Sequence, residues 1–287
     1  MENLRGSLLM IAAMAGFALE DMFVKALALR LPVGEILALL GAGGATIFAA
    51  IAIYRRDRLF SRDLLAGPVV LRNLGELLGT ICFVSAVAFT PLAEASAILQ
   101  ATPLAVTLGA ALFLGEKVGW RRWSAIAVGF LGVLIVIRPG TEGFSGLSLF
   151  AVVAVLGLAA RDVATRRVPR SITSMQLATY GFGVIVPAGL ALAAVMDTPL
   201  VMPTPPELAQ LAGALVFGTL GYYALIAAMR IGEVSFITPF RYTRLLFALI
   251  IGWLIFSEPV DGATLVGGAV IVASGLYTLM REARLRR

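Results

Sequence analysis

The sequence contains no histidine, one cysteine (Cys82) and only two lysines (Lys25 and Lys117). Without histidine, the commonest zinc ligand and the usual proton carrier near neutral pH are both missing. A single cysteine builds neither a disulfide framework nor a CxxC metal site within one chain. No metal site and no cofactor is therefore expected. Charge is also scarce. Only 14% of the 287 residues are charged, where a soluble domain carries about 25%. The motifs GxxxxGK[ST], HExxH and GxSxG do not occur. Their absence disfavours ATP-driven transport by this chain and leaves no recognisable hydrolase or metalloprotease signature.

Apolar residues fill the space that charge leaves, at 60% of the chain, with a mean hydropathy of +0.95. Lipid solvates such a surface and water does not. The net charge of +6 would suit nucleic acid, but the basic residues form short clusters between apolar runs and no continuous stripe. No nucleic-acid partner is expected. Of the 23 basic residues, 21 are arginine, a bias that reads as a GC-rich bacterial source. The apolar run after Arg5 reaches Leu29, beyond the roughly 7–15 residues of a signal-peptide core. It reads as a retained first helix.

A helix needs about 20 mostly apolar residues to cross the hydrocarbon core. Ten segments are read as spans: 6–29, 33–54, 67–90, 92–114, 123–137, 147–165, 174–195, 208–229, 233–256 and 263–280. Proline and glycine punctuate the cuts, as at Leu31-Pro32, Thr90-Pro91, Arg138-Pro139-Gly140 and Glu258-Pro259. With the N-terminus placed in the cytoplasm, 17 basic residues fall on that side, including Arg55, Arg56, Arg58, Arg62, Lys117, Arg121, Arg122, Arg166, Arg167 and Arg170. The other side holds Arg30 and Arg138, with Lys25 near a helix end. This asymmetry predicts that both termini are cytoplasmic and that the number of spans is even.

The two halves resemble each other. GFALEDMFVKAL (16–27) aligns with GLAARDVATRRV (157–168), matching Gly16 to Gly157, Asp21 to Asp162 and Lys25 to Arg166. AEAS (93–96) aligns with GEVS (232–235), matching Glu94 to Glu233. LGEKV (114–118) aligns with FSEPV (256–260), matching Glu116 to Glu258. The offsets nearly agree and keep the order of spans. A unit with an odd number of spans is inserted upside down the second time, which is the inverted repeat of many secondary transporters. The expected division is residues 1–140 and 141–287.

These turns, helix starts and Asp-x-x-x-Lys/Arg pairs resemble the drug/metabolite transporter superfamily, EamA type. The resemblance covers nearly the whole chain. It implies an all-α membrane protein of ten helices, in two inverted five-helix repeats around a central cavity, that exports or exchanges small metabolites. The overall look is similar to amino-acid exporters of that superfamily, and its vitamin and S-adenosylmethionine transporters share the pattern. The expected function is therefore export of amino acids or related metabolites across a bacterial inner membrane by alternating access. A membrane-embedded enzyme is the alternative of a different class, and no spacing of residues selects a reaction for it. Partners are the bilayer and a small-molecule substrate. Oligomeric state is left open.

Ionisable groups within spans are costly and point to partners or water. Asp21 and Lys25 are i,i+4 and read as a local pair repeated by Asp162 and Arg166, whereas Glu20 has no such partner. Arg72, Asn73 and Glu76 share the third span with a GxxxG at Gly75 and Gly79. Between Glu233 and Glu258 the ninth span carries no acid, so Arg241 and Arg244 have no local partner and need one from elsewhere, such as Glu20 or Glu76, or a carboxylate of the substrate. They are the leading candidates, with Tyr242 beside them. Gln100 and Tyr222 add polarity to apolar spans, and Phe17 and Phe83 are weighed between packing and an aromatic wall. Spans one, three, four, six, eight and nine are expected to line the cavity.

Overall fold

A computed structural model of the chain describes residues 2–57, 59–115, 119–139, 141, 145–169, 171–231 and 237–285. Glu116 and Glu233 of the repeat alignment, and Arg58, Lys117, Arg170, Arg286 and Arg287 of the charge census, lie outside the described residues. The helices are α1 (Glu2–Leu27), α2 (Val33–Tyr54), α3 (Gly67–Phe89), α4 (Leu92–Leu99), α5 (Thr102–Phe113), α6 (Trp120–Ile137), α7 (Ser148–Thr165), α8 (Ser174–Val195), α9 (Pro205–Ile231), α10 (Thr243–Phe256) and α11 (Gly262–Leu285). Among the described residues there is no strand. With α4 and α5 counted as one interrupted rod, the helices make ten rods at the ten expected places.

Seven of these rods are long and apolar enough to cross a membrane: α1, α2, α3, α4 with α5, α7, α8 and the first part of α9. Two shorter apolar stretches follow the same pattern, Trp123–Ile137 and Gly262–Tyr277. Their outer faces are greasy. On α3, Leu71, Leu74 and Leu78 are about half exposed, at i, i+3 and i+7. That stripe faces away from the bundle, as lipid requires and water would penalise.

Local chemistry sets the helix ends. Thr173 and Gln176 form a reciprocal capping box that starts α8. The Asp261 carboxylate accepts the Thr264 N–H at 2.8 Å in the first turn of α11. Ser257 ends α10 and Arg138 ends α6 with left-handed φ values of 52° and 53°. Rod four is broken in mid-course, where it turns at Gln100 and Ala101 just ahead of Pro103. The 3-10 turn Thr238–Tyr242, which contains Pro239, runs directly into α10. A proline has no N–H to give to the backbone ladder, and a break in a rod is tolerated only inside a protein or against a cavity.

The tightest pairings are α1 with α9, α2 with α8, α3 with α7, and α6 with α11, and α4 packs on α10. Each joins one rod from before residue 140 to one from after it. Between lipid-solvated helices the hydrophobic effect gives no net drive, so close van der Waals contact between small residues supplies the attraction. The glycines provide that contact. A Cβ on Gly157 would lie 2.6 Å from the Gly79 nitrogen, and one on Gly34 would lie 2.5 Å from the Gly189 oxygen. Gly16 meets Gly221, and Gly132 meets Gly267, in the same way. The GxxxG of the third span thus serves packing against α7.

Gly157→Val forces α3 and α7 apart. Overpacking of this kind costs about 1–3 kcal/mol. The expected result is a lower thermal midpoint in detergent, read by reaction of the buried thiol of Cys82 with a fluorogenic dye. An unchanged midpoint contradicts the close contact.

Candidate functional site

A cavity of about 70 Å³ lies between the α1–α9 and α2–α8 pairs. Glu20 and Phe17 of α1 face Phe48 of α2, Phe182 of α8, and Thr219 and Tyr222 of α9 across it. Aromatic rings dominate the wall. The Phe48 ring meets Tyr222 edge-on at 5.1 Å and Phe182 at 5.4 Å between centroids. Glycine makes room for the acid, since a Cβ on Gly218 would lie 2.7 Å from the Glu20 carboxyl. Among the described residues, no hydrogen bond or ion pair engages that carboxyl. Spans two and seven therefore line this cavity, where spans three, four, six and nine were expected with one and eight. Phe48 and Phe182 were missed because a phenylalanine in an apolar run carries no contrast in the sequence.

The charged residues beside the cavity are paired in a way the sequence did not indicate. Arg244 forks onto Asp21, with Nη2 at 2.7 Å from Oδ2 and Nε at 3.1 Å from the same oxygen. Its guanidinium lies between two rings, 5.4 Å from the centroid of Phe17 and 5.2 Å from that of Phe83. Asp21 and Lys25 do not form the expected local pair. Asp21 turns to Arg244, and Lys25 reaches Glu258 at 2.6 Å. The partner of Arg244 is thus Asp21 and neither Glu20 nor Glu76. A planar fork meets a carboxylate bidentately only when the two come from different helices at the right angle, and i,i+4 spacing does not reveal that.

A second network joins α3 to α7. Arg72 bonds Glu76 at 2.8 Å, the Asn73 side-chain oxygen at 3.0 Å and the Leu177 carbonyl at 3.0 Å. Glu76 also receives Arg161 at 3.1 Å, and Arg161 holds Asp162 at 2.8 Å. The i,i+4 pair of Arg72 and Glu76 was legible, whereas the bridge from Arg161 was not. Gln100 and Tyr242 lie elsewhere. The Gln100 amide donates to the Tyr242 carbonyl at 3.4 Å, and the buried Tyr242 hydroxyl presses on Gly275, with no hydrogen-bond partner among the described residues. Neither lines the cavity. Arg241 has no carboxylate at ion-pair distance among the described residues, and Asp162 and Arg161 are among the charges that act on it.

Polar contacts tie helices together at both ends of the bundle. At one end Lys25 also donates to the Thr90 carbonyl at 2.6 Å, while Glu258 accepts the Leu92 N–H at 2.8 Å. One ion pair thereby caps the end of α3 and the start of α4. Arg30 pairs with Glu207, Arg138 with Asp261 at 2.7 Å, and Glu35 accepts the Val201 N–H at 2.8 Å. Burial alone would raise the pKa of Asp261, but the Thr264 N–H and hydroxyl and Arg138 together hold it below the ordinary value. That tie is intact above the ordinary aspartate range and is lost as pH falls through the depressed pKa. At the opposite end, Ser171 donates to Asp63 at 2.6 Å, Thr173 to Asp57 at 2.9 Å and Tyr180 to the Leu59 carbonyl at 2.9 Å.

Removing one partner of a buried pair leaves the other charge uncompensated, at about 3–5 kcal/mol. Asp21→Asn is therefore expected to lower the Cys82 labelling midpoint more than Glu20→Gln. The double variant Asp21→Asn/Arg244→Gln should recover part of the loss. Equal effects of the two single variants contradict the pairing.

The chain matches the EamA-like transporter family twice, over residues 4–138 and 146–280. It is 28% identical to a riboflavin transporter of Rhizobium johnstonii over 98% of this chain and 93% of that protein. It is 29% identical to an S-adenosylmethionine uptake transporter of Rickettsia bellii, over 74% of this chain and 72% of that protein. A pseudopaline exporter of Pseudomonas aeruginosa is 30% identical over 94% of each chain. None of these three relatives is named as an amino-acid exporter, so the likeness to amino-acid exporters gains no support from them.

Proposed function

We propose that this chain, which belongs to the EamA-like transporter family, is a secondary transporter that moves a small metabolite across a bacterial inner membrane by alternating access. That it is a multi-pass membrane protein and a transporter of small metabolites follows from the family, its transporter relatives and its apolar helices. The observation that carries the finer reading is the cavity at Glu20, walled by rods from both family matches, with helices tied together at both ends of the bundle. At about 70 Å³ it is well below the pockets of about 300–1,000 Å³ that enclose drug-sized ligands. A metabolite enters only when the helix pairs part at one end.

The pairing of rods supports an inverted repeat. Exchanging each rod with the one five places further turns the α1–α9 pair into the α7–α3 pair and returns α2–α8 and α6–α11 to themselves. The Gly16–Gly221 contact then falls on Gly157–Gly79. A five-span unit repeated in this way is inserted in opposite senses, and rocking of one half on the other opens the ends in turn. The arginine asymmetry supports cytoplasmic termini. In this mechanism the Lys25–Glu258 tie breaks when its end opens, while the Asp57 and Asp63 contacts hold the other.

The relatives point to riboflavin and S-adenosylmethionine as first substrates to try. Amino-acid transport is a second reading, favoured by one observation: Arg241 has no carboxylate at ion-pair distance among the described residues and so suits a substrate carboxylate. Purified protein in liposomes, preloaded with each candidate, tests both. Counterflow of riboflavin or S-adenosylmethionine is expected. For the second reading, counterflow of an aromatic amino acid should fall at least tenfold in Arg241→Ala. No counterflow of any candidate by protein with a normal labelling midpoint contradicts the transport reading.

A further inference from the structure

The chemistry of the cavity is the reverse of what two unpaired arginines would have made it. Arg244 is already matched by Asp21, so its charge is not open to a substrate carboxylate. The corner around it then holds two carboxylates, Glu20 and Asp21, against one guanidinium. Glu20 is the surplus acid, half-buried in the wall of a cavity rich in aromatic rings. Four rings contribute to that wall, from Phe17, Phe48, Phe182 and Tyr222. Aromatic faces carry negative electrostatic potential and attract cations, most strongly where water is excluded. The protein itself shows the effect nearby, with Arg244 between Phe17 and Phe83.

We infer that the cavity receives a cationic group of the transported metabolite, an ammonium or sulfonium centre, held by the Glu20 carboxylate among these ring faces. The inference rests on the transport reading and assigns its substrate class. A compact onium head suits the space better than an extended flat ring, because the cavity is small, at about 70 Å³. Gly218 is part of the device. Any side chain there would collide with the Glu20 carboxyl, whose nearest atoms lie 2.7 Å from the position of a Cβ.

Binding is tested separately from flux, so that failure of the inference and failure of the transport reading are distinct. The full chain in detergent is heated with the thiol dye in the presence of choline or of its neutral isostere, 3,3-dimethyl-1-butanol, at constant ionic strength. A ligand that binds the folded state raises the midpoint. Choline is expected to do so with an apparent affinity at least tenfold above that of the isostere. Glu20→Gln should erase the difference, and Glu20→Asp should keep most of it while confirming that the site tolerates change. Equal shifts by choline and the isostere, no shift by choline, or a preference that survives Glu20→Gln each overturn the inference. Counterflow in liposomes reports on the transport reading independently of all these outcomes.

Discussion

Close approach of helix backbones through glycine is the constraint on which the rest of the structure depends. Lipid is as apolar as leucine, so two greasy helices gain nothing by hiding apolar surface from it. They associate where their surfaces fit. Here glycine faces glycine or bare backbone in four rod pairs, at Gly16 and Gly221, Gly34 and Gly189, Gly79 and Gly157, and Gly132 and Gly267. These contacts fix which rods are neighbours. The neighbours in turn decide which polar side chains meet and where space is left over. The cavity is that leftover space, between two glycine-zipped pairs.

Electrostatics then follow from the packing. An ionised group within a bilayer is stable only when paired or wet. Arg244 is matched in two ways at once, by a forked bond to Asp21 and by two ring faces. The Arg72, Glu76, Arg161 and Asp162 network balances two bases with two acids. The ties at the bundle ends double as helix caps, so that opening an end exposes both an ion pair and unsatisfied backbone groups. In the proposed alternating access, such a coupling makes the open and closed forms discrete. Glu20 stands outside these matched sets, and an acid with no hydrogen bond or ion pair among the described residues, beside a cavity, has either a ligand to meet or a proton to hold.

Much of this was legible in the sequence, and the limits have physical causes. Apolar runs and proline breaks located all ten rods, because hydrophobic length and a missing N–H are local properties. The repeat was visible in matched glycines and acids. Partner choice was not. Asp21 and Lys25 have the spacing of a pair, yet each bonds a residue more than 200 positions away, because α1 lies against α10 and its turn. Arg161 has no acid four residues away to mark it as paired, and it bridges two helices by reaching Glu76. The wall of the cavity at Glu20 takes in rods two and seven, which the sequence did not single out, because Phe48 and Phe182 stand in apolar runs where one more ring carries no contrast.

The central claim is that the space around Glu20 opens to one side of the membrane at a time. Thr219→Cys in a Cys82→Ser background places the only thiol in the cavity wall. Its reaction with a membrane-impermeant maleimide is then measured in inside-out and right-side-out vesicles, with and without the metabolite found to exchange. The account predicts labelling from either side, with the metabolite shifting the balance and protecting the thiol when saturating. Labelling from one side only, unchanged by the metabolite, would contradict it.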